Sequence, residues 1–529
     1  MGSKKLQVWL PLLLAGMMVV GMMIGYELKS KTSGRDFLTL TKKSSIQEVM
    51  DLVKAKYVDD VKFDSLNQVV IDDVLAHLDP HSTYIPAEDL TQVNEQLAGN
   101  FQGIGVEFQQ FNDTVNVTNV IKDGPSDKAG VLVGDKIIKA NDSMVLTGKN
   151  IKLEDIRKNL RGEADSKVTI TVLRGTIIKK ITIIRGNIPV PSIDAAYIIA
   201  PQTGYIRINK FGGRTYEEFM QNLEKLQKDS INSLILDLRG NGGGLLSEAT
   251  AIADEFLSED KLIVYTQGNH VPRYEYRCKR DGIFENGKLV VLVDETSASA
   301  SEVLSGALQD WDRATIIGRR TYGKGLVQQQ FQLSDGSAVR LTIARYYTPL
   351  GRSVQKSYSN KSKHDYDGEL LHRFEDGEVV TEDSALPKGK PYKTLKGNIV
   401  FGGGGITPNV FIPYDTTKLS PALLKMYYKN TLSSFVYQYY ISNRQVLSKT
   451  ASATLFNQQF KPSEYDWQAL SNFAVKDSVA LQSIDVKFKA DLLIRFKALL
   501  ARQLFRNQGY YQIQNNNDTI IKKALQILK

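Results

Sequence analysis

Apolar residues recur every three or four positions between Ser44 and about Ala98. Ile46, Val49, Val53 and Tyr57 mark one run, and Leu66, Val69, Val70 and Val74 a second. That period predicts amphipathic helices. LDPHSTYIP, residues 78–86, breaks it with two prolines. From Asn100 to Gly186 the pattern turns to alternation, in TVNVTNVI, KVTITVLR and KKITIIR, with IKLEDIRKNL as a helical interlude. Alternation predicts a half-buried antiparallel sheet. After Tyr197 the strands become continuous apolar runs, SLILDL, KLVVLV and ATIIG, separated by helical stretches such as LLSEATAIADEFL. Runs of that kind belong to strands buried on both faces of an α/β layer arrangement. Beyond about Asp415 the period is helical again, with Leu492, Leu493, Phe496, Leu499, Leu500 and Leu504 on one face. The fold class expected is therefore multidomain α/β, with a β-rich module and a helical C-terminal extension.

The first thirty residues depart from this texture. Lys4 and Lys5 precede an uncharged stretch, Leu6 to Tyr26. At about 1.5 Å per residue it is long enough to cross ~30 Å of hydrocarbon. Gly25-Tyr26-Glu27 does not resemble a signal-peptide cleavage site, so an uncleaved anchor is expected in preference to a removed signal or a buried core helix. Lysines on the inner side would put the body outside the cytoplasmic membrane, in a periplasm or its equivalent. A chain of 529 residues implies two to four domains. The net charge of +9 is spread along the chain with no basic block interleaved with aromatics, which argues against nucleic acid as a partner. The single cysteine, Cys278, excludes internal disulfides and a cysteine zinc cluster, and RYEYRCKRD reads as an exposed polar strand ill-suited to a nucleophile.

Three candidate chemistries remain. RGNGGG, 239–244, lacks the Gly-Lys-Ser/Thr ending of a phosphate loop, but glycines between strand and helix can offer bare N–H groups to an oxyanion. His77 and His81 are four apart with Pro80 between them, which spoils a helical metal pair, and no histidine sits in a strand-end or loop context shared with a plausible serine nucleophile, although chain order alone does not exclude a triad. KLVVLVDETSASASEVLSGAL reads as strand, turn and helix, placing Ser297, Ser299 and Ser301 at a helix N-terminus. Ser299 and Glu302 alone fit a capping box and need no catalysis to explain them. Downstream, Lys324 stands between Gly323 and Gly325, with Gln328 four residues on. A desolvated, neutral lysine can act as a general base.

Two resemblances join these pieces. Gly103-Ile104-Gly105-Val106 followed by PSDKAGVLVGDKII resembles a PDZ module, whose glycine loop gathers N–H groups on a peptide carboxylate while the next strand offers an edge. The other reading of Gly103 and Gly105 is a simple hairpin turn. The order LDPHSTY, the PDZ-like module, SASASE, YGKGLVQ, LTIARYYTPLGRSVQ and GGGGITPNV, over about 45–413, resembles the carboxyl-terminal processing (tail-specific) serine proteases. That resemblance implies a spiral, crotonase/ClpP-like α/β core. It implies that Ser299 is the nucleophile, Lys324 the base and Gln328 its positioning partner, with backbone amides of Ala300 and of the glycine stretch, Gly243 and Gly244, as oxyanion hole. Asn409 departs from the family's usual Asp. The domains implied are 1–30 anchor, 31–98 helical region, 99–187 PDZ, 188–415 protease core and 416–529 extension. No metal or organic cofactor is expected. The partners expected are protein substrates held by their C-termini and the membrane through the first segment, with a homo-oligomer or an adaptor left open. Ile104 and Val106 point to nonpolar terminal residues. The competing readings are an inactive PDZ adaptor that keeps Ser299 as a cap, and an acyl-CoA hydratase-type enzyme on a similar core.

Overall fold

The computed structural model describes residues 11, 14–23, 44–111, 113–148, 151–359, 363–381, 389–416, 419–482 and 484–529. The chain forms two compact units, one ending at Asp73 and the other running from Val74 to Lys529. In the first, the Ser44 hydroxyl accepts from the Gln47 amide and starts helix α1 (Ser45–Lys56), which buries none of its residues. The expected apolar stripe is present, but Ile46 and Val49 stay exposed. Helix α2 (Phe63–Ala76) follows. Of the expected anchor only residue 11 and residues 14–23 are described, as exposed helix, and the rest lies outside the described residues. Among the described residues no helix is long and apolar enough to cross a membrane.

The second unit begins with β1 (Thr83–Ile85) and α3 (Ala87–Ala98), which stops at Gly99 in the left-handed conformation. β2 (Asn100–Gly103) pairs with β9 (Gly186–Pro189) and closes the neck of a β-rich module. That module holds β3 (Val106–Phe111), β4 (Thr114–Val120), α4 (Pro125–Lys128), β5 (Lys136–Ala140), β6 (Met144–Val145), α5 (Leu153–Leu160), β7 (Lys167–Arg174) and β8 (Ile177–Ile184). Its antiparallel sheet runs β3-β4-β5-β7-β8, with β6 on β5. Val168, Ile170 and Val172 alternate inward to a core closed by Ile156 and Leu160 of α5, as the period-2 pattern requires. β3 lies at the sheet's edge.

The core follows, with β10 (Ile193–Ala200), β11 (Thr203–Ile208), α6 (Thr215–Lys228), β12 (Ser233–Asp237), α7 (Leu246–Asp254), β13 (Leu262–Gln267), β14 (Tyr274–Arg277), β15 (Lys288–Val293), α8 (Ala300–Asp310), β16 (Thr315–Gly318), β17 (Leu326–Gln332), β18 (Ala338–Tyr347), α9 (Lys363–Glu375), β19 (Pro391–Lys393), β20 (Ile399–Phe401) and β21 (Val410–Phe411). The main sheet is ordered β10-β11-β12-β15-β16-β21 and is parallel from β11 onward. Its strands are apolar on both faces. Leu234, Leu236, Val291 and Val293 face α6, α7 and α8, whereas Ile235, Val290, Leu292 and Ile317 face the other way. A second sheet places β18 between β1 and β13 and carries β17 as a hairpin partner.

The extension comprises α10 (Pro421–Tyr428), α11 (Thr431–Leu447), α12 (Ala453–Gln459), α13 (Glu464–Val475), α14 (Val486–Gln514) and α15 (Thr519–Leu528). Leu492, Phe496 and Leu500 of α14 are buried in a helical core of its own, with Leu493, Leu499 and Leu504 packed at its margin. α15 leaves that core and lays Ile520, Ile521, Ala524 and Leu528 on the second face of the main sheet. Cys278 corrects the sequence expectation. It is buried, not exposed, because the residue just after β14 turns inward beside Asp254, and burial pushes its thiol up to about 12.

Candidate active site

The parallel pairing of β12 with β15 sets the loops at their carboxyl ends side by side. One is the glycine loop 240–245, the other the serine turn 295–299. Ser297 Oγ donates to the Leu238 carbonyl at 2.9 Å and Ser301 Oγ to the Asn241 carbonyl at 2.9 Å, both fully buried. Two of the three alternating serines therefore bolt the turn to the glycine loop. Ser299, between them, is half-buried and forms a capping box with Glu302, whose well-formed bond is that from the Ser299 amide to the Glu302 carboxylate. Its backbone sits at φ 54° and ψ −114°, a region that costs a non-glycine residue about 1–3 kcal/mol and persists only where the surroundings enforce it.

The glycine loop explains its composition by contact. Gly243 has φ 98°, and a Cβ there would lie 2.7 Å from Ser299 Cβ and 3.0 Å from the Ala300 nitrogen. Its own N–H donates to Asn241 Oδ1 at 2.9 Å, so in this arrangement that amide is engaged. Gly244 has φ 144°, and a Cβ there would meet the Phe211 carbonyl. Ala300 is the first residue of α8, where a helix leaves its amide without an internal partner. The loop is rooted on Asp237. Burial opposes its ionisation, but Arg239 and Arg207 hold its carboxyl well below the usual range. Arg239 also donates to Asp518, at the start of α15, at 2.7 Å.

Lys324 lies in the loop between β16 and β17. Burial, and then the charge of Arg340, lower its pKa, while Asp79 and Glu302 oppose the shift. Its Nζ donates to Gln328 Oε1 at 3.1 Å, and Gln328 Nε2 donates to the His81 carbonyl at 2.6 Å. Sequence reasoning assigned Glu302 only a capping role, yet this fully buried carboxylate accepts from four donors. Oε2 takes the amides of Ser299 and Lys324 at 2.8 Å each, and Oε1 takes Thr321 Oγ1 at 2.6 Å and the Gly323 amide at 2.8 Å. The amide nitrogens of Ser299 and Lys324 are thus within twice one hydrogen-bond length of each other. Burial raises the Glu302 pKa against the pull of those bonds. Tyr346 Oη donates to the carbonyls of both Ser299, at 3.1 Å, and Lys324.

A histidine does reach the site, although none is near Ser299 in sequence. The pairing of β1 with β18 brings Asp79, His81 and Ser82 alongside. Burial, then the charge of Lys324, lower the His81 pKa to about 4, and its Nε2 lies 2.9 Å from Tyr366 Oη on α9. A neutral imidazole of that basicity is poorly matched to accept a proton near neutrality. Arg373 of α9 donates to the carbonyls of Arg320, Thr321 and Tyr322, which fixes the loop entering Lys324. The LDPHSTY and ARYYTP motifs carried the signal for His81 and Tyr346, but without roles. Asn409 receives the Ile316 amide on Oδ1 at the sheet edge, away from this chemistry.

Residues 202–361 match peptidase family S41, residues 102–184 match the PDZ domain and residues 422–506 match a family of unknown function. A probable CtpA-like serine protease of Staphylococcus aureus strain N315 is 35% identical over 333 residues, which cover 62% of this chain and 65% of that relative's length, just under two thirds of it. Among solved structures, the photosystem II D1 C-terminal processing protease is 27% identical, covering 71% of this chain and 88% of that one with a TM-score of 0.37. The PDZ domain of a carboxy-terminal protease from Vibrio cholerae, solved with a peptide, is 25% identical, covering 17% and 99% with a TM-score of 0.16. The chain thus carries a segment similar to peptidase family S41 preceded by one similar to the PDZ domain, and over 62% of its length it is similar to a probable CtpA-like serine protease.

Proposed function

We propose that the chain is a serine endopeptidase that uses a Ser299–Lys324 dyad on proteins held by their C-terminal tails. One observation carries this reading: a single buried carboxylate oxygen of Glu302 gathers the amides of Ser299 and Lys324, on a lysine whose pKa is depressed. Neutral Lys324 Nζ accepts the Ser299 Oγ proton as Oγ bonds to the scissile carbonyl carbon. The oxyanion is met by the Ala300 amide and an amide of the glycine stretch, with Gly244 favoured over Gly243 because Asn241 already holds the latter. The C–N bond breaks, Lys324 returns the proton to the leaving amine, and water then hydrolyses the acyl-enzyme with Lys324 again as base. Gln328 holds the amine in place.

In the same reading, the amides of Gly103, Ile104, Gly105 and Val106 take the tail's carboxylate and β3 pairs with its backbone. The segment before residue 30 anchors the protein with its body outside the cytoplasmic membrane. The test is cleavage of a tailed protein by the wild-type chain, Ser299→Ala and Lys324→Ala. Loss of cutting in both variants is expected, and undiminished cutting by both refutes the dyad.

A further inference from the structure

The groove beside β3 has a wall that does not belong to the PDZ module. β3 is the free edge of its sheet, and Leu153, Arg157 and Leu160 of α5, spaced on one helical face, line the opposite side. The cavity between them, about 610 Å³, is also lined by Asn430 and Ser433, at the start of α11 in the extension. Ser433 also lines an adjoining cavity with Glu107 and Gln109, so the space continues past α11 toward Pro191 and Asn209 of the peptidase core.

α11 is held firmly against the module. The Tyr437 ring lies 5.3 Å from that of Phe111 at the end of β3, and Arg444 donates to the Val133 carbonyl at 3.3 Å. A Cβ at Gly134 would come within 3.2 Å of Ile441. Arg506, at the kink of α14, pairs with Glu107 of β3.

We propose that the helical extension forms part of the tail-recognition groove, with Asn430 and Ser433 contacting the substrate chain upstream of its terminal residues. The inference rests on the tail-docking reading above. An extended peptide rises about 3.3 Å per residue. With its carboxylate at the Gly103–Val106 loop and its backbone antiparallel to β3, it reaches the first turn of α11 about four residues or more before its end. The occupant is an unfolded polypeptide tail, because β3 offers main-chain pairing and the wall offers only small polar side chains at that point. The segment of unknown function thereby acquires a role as the second half of a specificity groove that leads toward the core.

The test is fluorescence anisotropy on the full chain carrying Ser299→Ala, with two labelled peptides ending Ala-Leu-Ala-Ala, one of four residues and one of ten. Ser433→Trp and Asn430→Trp fill the groove beside α11, and Gly105→Val spoils the carboxylate loop. The expected result is a tenfold or greater loss of affinity for the ten-residue peptide in both tryptophan variants, unchanged binding of the four-residue peptide, and loss of both in Gly105→Val. Unchanged binding of both peptides by both tryptophan variants, with Gly105→Val still impaired, overturns the role of α11 alone. Failure of both peptides to bind the parent chain overturns the tail-docking reading and this proposal with it.

Discussion

Replacing Glu302 by Gln separates a helix cap from a catalytic scaffold. The carboxylate accepts four hydrogen bonds and has no free oxygen. A carboxamide supplies one acceptor oxygen and one donor group. If that oxygen keeps the amides of Ser299 and Lys324, the NH2 faces Thr321, whose hydroxyl can turn to accept, and the Gly323 amide, which cannot. One buried donor then loses its acceptor, at about 1–3 kcal/mol, and the surviving bonds fall from the charged class, ~1.5–3 kcal/mol each, to the neutral class, ~0.5–1.5. Removing a fully buried charge offsets part of this loss. A net destabilisation of roughly 2 kcal/mol follows, too small to unfold a protein with an ordinary stability of about 5–15 kcal/mol. The effect on rate is larger. The Gly323–Lys324 loop is released from the carboxylate that ties it to the Ser299 amide, and under the proposed dyad a displacement near 1 Å costs on the order of a hundredfold. Steady-state cleavage of a tailed substrate and thermal unfolding are measured together. The expected outcome is a kcat lowered about a hundredfold, a nearly unchanged KM and a modestly lowered Tm. A Glu302→Gln enzyme with a lowered Tm and wild-type kcat would refute the argument and leave Glu302 as a cap.

Three further outcomes are expected. With acylation rate-limiting, kcat rises with pH as Lys324 deprotonates, along a limb below the ordinary lysine range, because burial and Arg340 depress its pKa. Arg340→Gln removes a positive charge that favours the neutral amine, so its limb moves to higher pH, and a pH–rate profile with no shift contradicts the assignment. Gly243→Ala places a Cβ 2.7 Å from both Ser299 Cβ and the Ala298 carbonyl at a positive φ, so activity is expected to fall at least tenfold with circular dichroism unchanged. Ile521→Asp on α15 puts a charge against the second face of the main sheet, with an expected cost of at least about 3 kcal/mol in urea unfolding.

The serine turn is legible from local order alone, because strand, turn and helix follow one another within about twenty residues and the lysine comes soon after. Three other parts of the site are not. Glu302 satisfies a Ser-x-x-Glu pattern locally, so nothing in the sequence demands that the same oxygens also hold Thr321, Gly323 and Lys324. His81 comes to the site through the pairing of β1 with β18, a long-range register that local periodicity does not encode. Cys278 sits among tyrosines, arginines and a lysine whose polarity marks an exposed strand, and one residue's inward turn escapes a window average.

The extension shows where pattern stops and packing begins. Leu492, Phe496 and Leu500 announce a buried face, but an amphipathic period says only that something covers it. The strands carry the complementary signal. SLILD and KLVVLV are apolar on both faces, so the main sheet requires two covers, and α6, α7 and α8 supply one. α15 supplies the other at the far end of the chain, where burying Ile520, Ile521 and Leu528 contributes roughly 4.5–9 kcal/mol as an upper estimate. The same helix start brings Asp518 to Arg239, two residues beyond Asp237 and at the root of the glycine loop. The last helix is therefore part of the peptidase core in every physical sense, although 279 residues separate Asp518 from the arginine it holds. A chain cut at the end of the family S41 match would expose an apolar sheet face and unseat the loop that packs against Ser299.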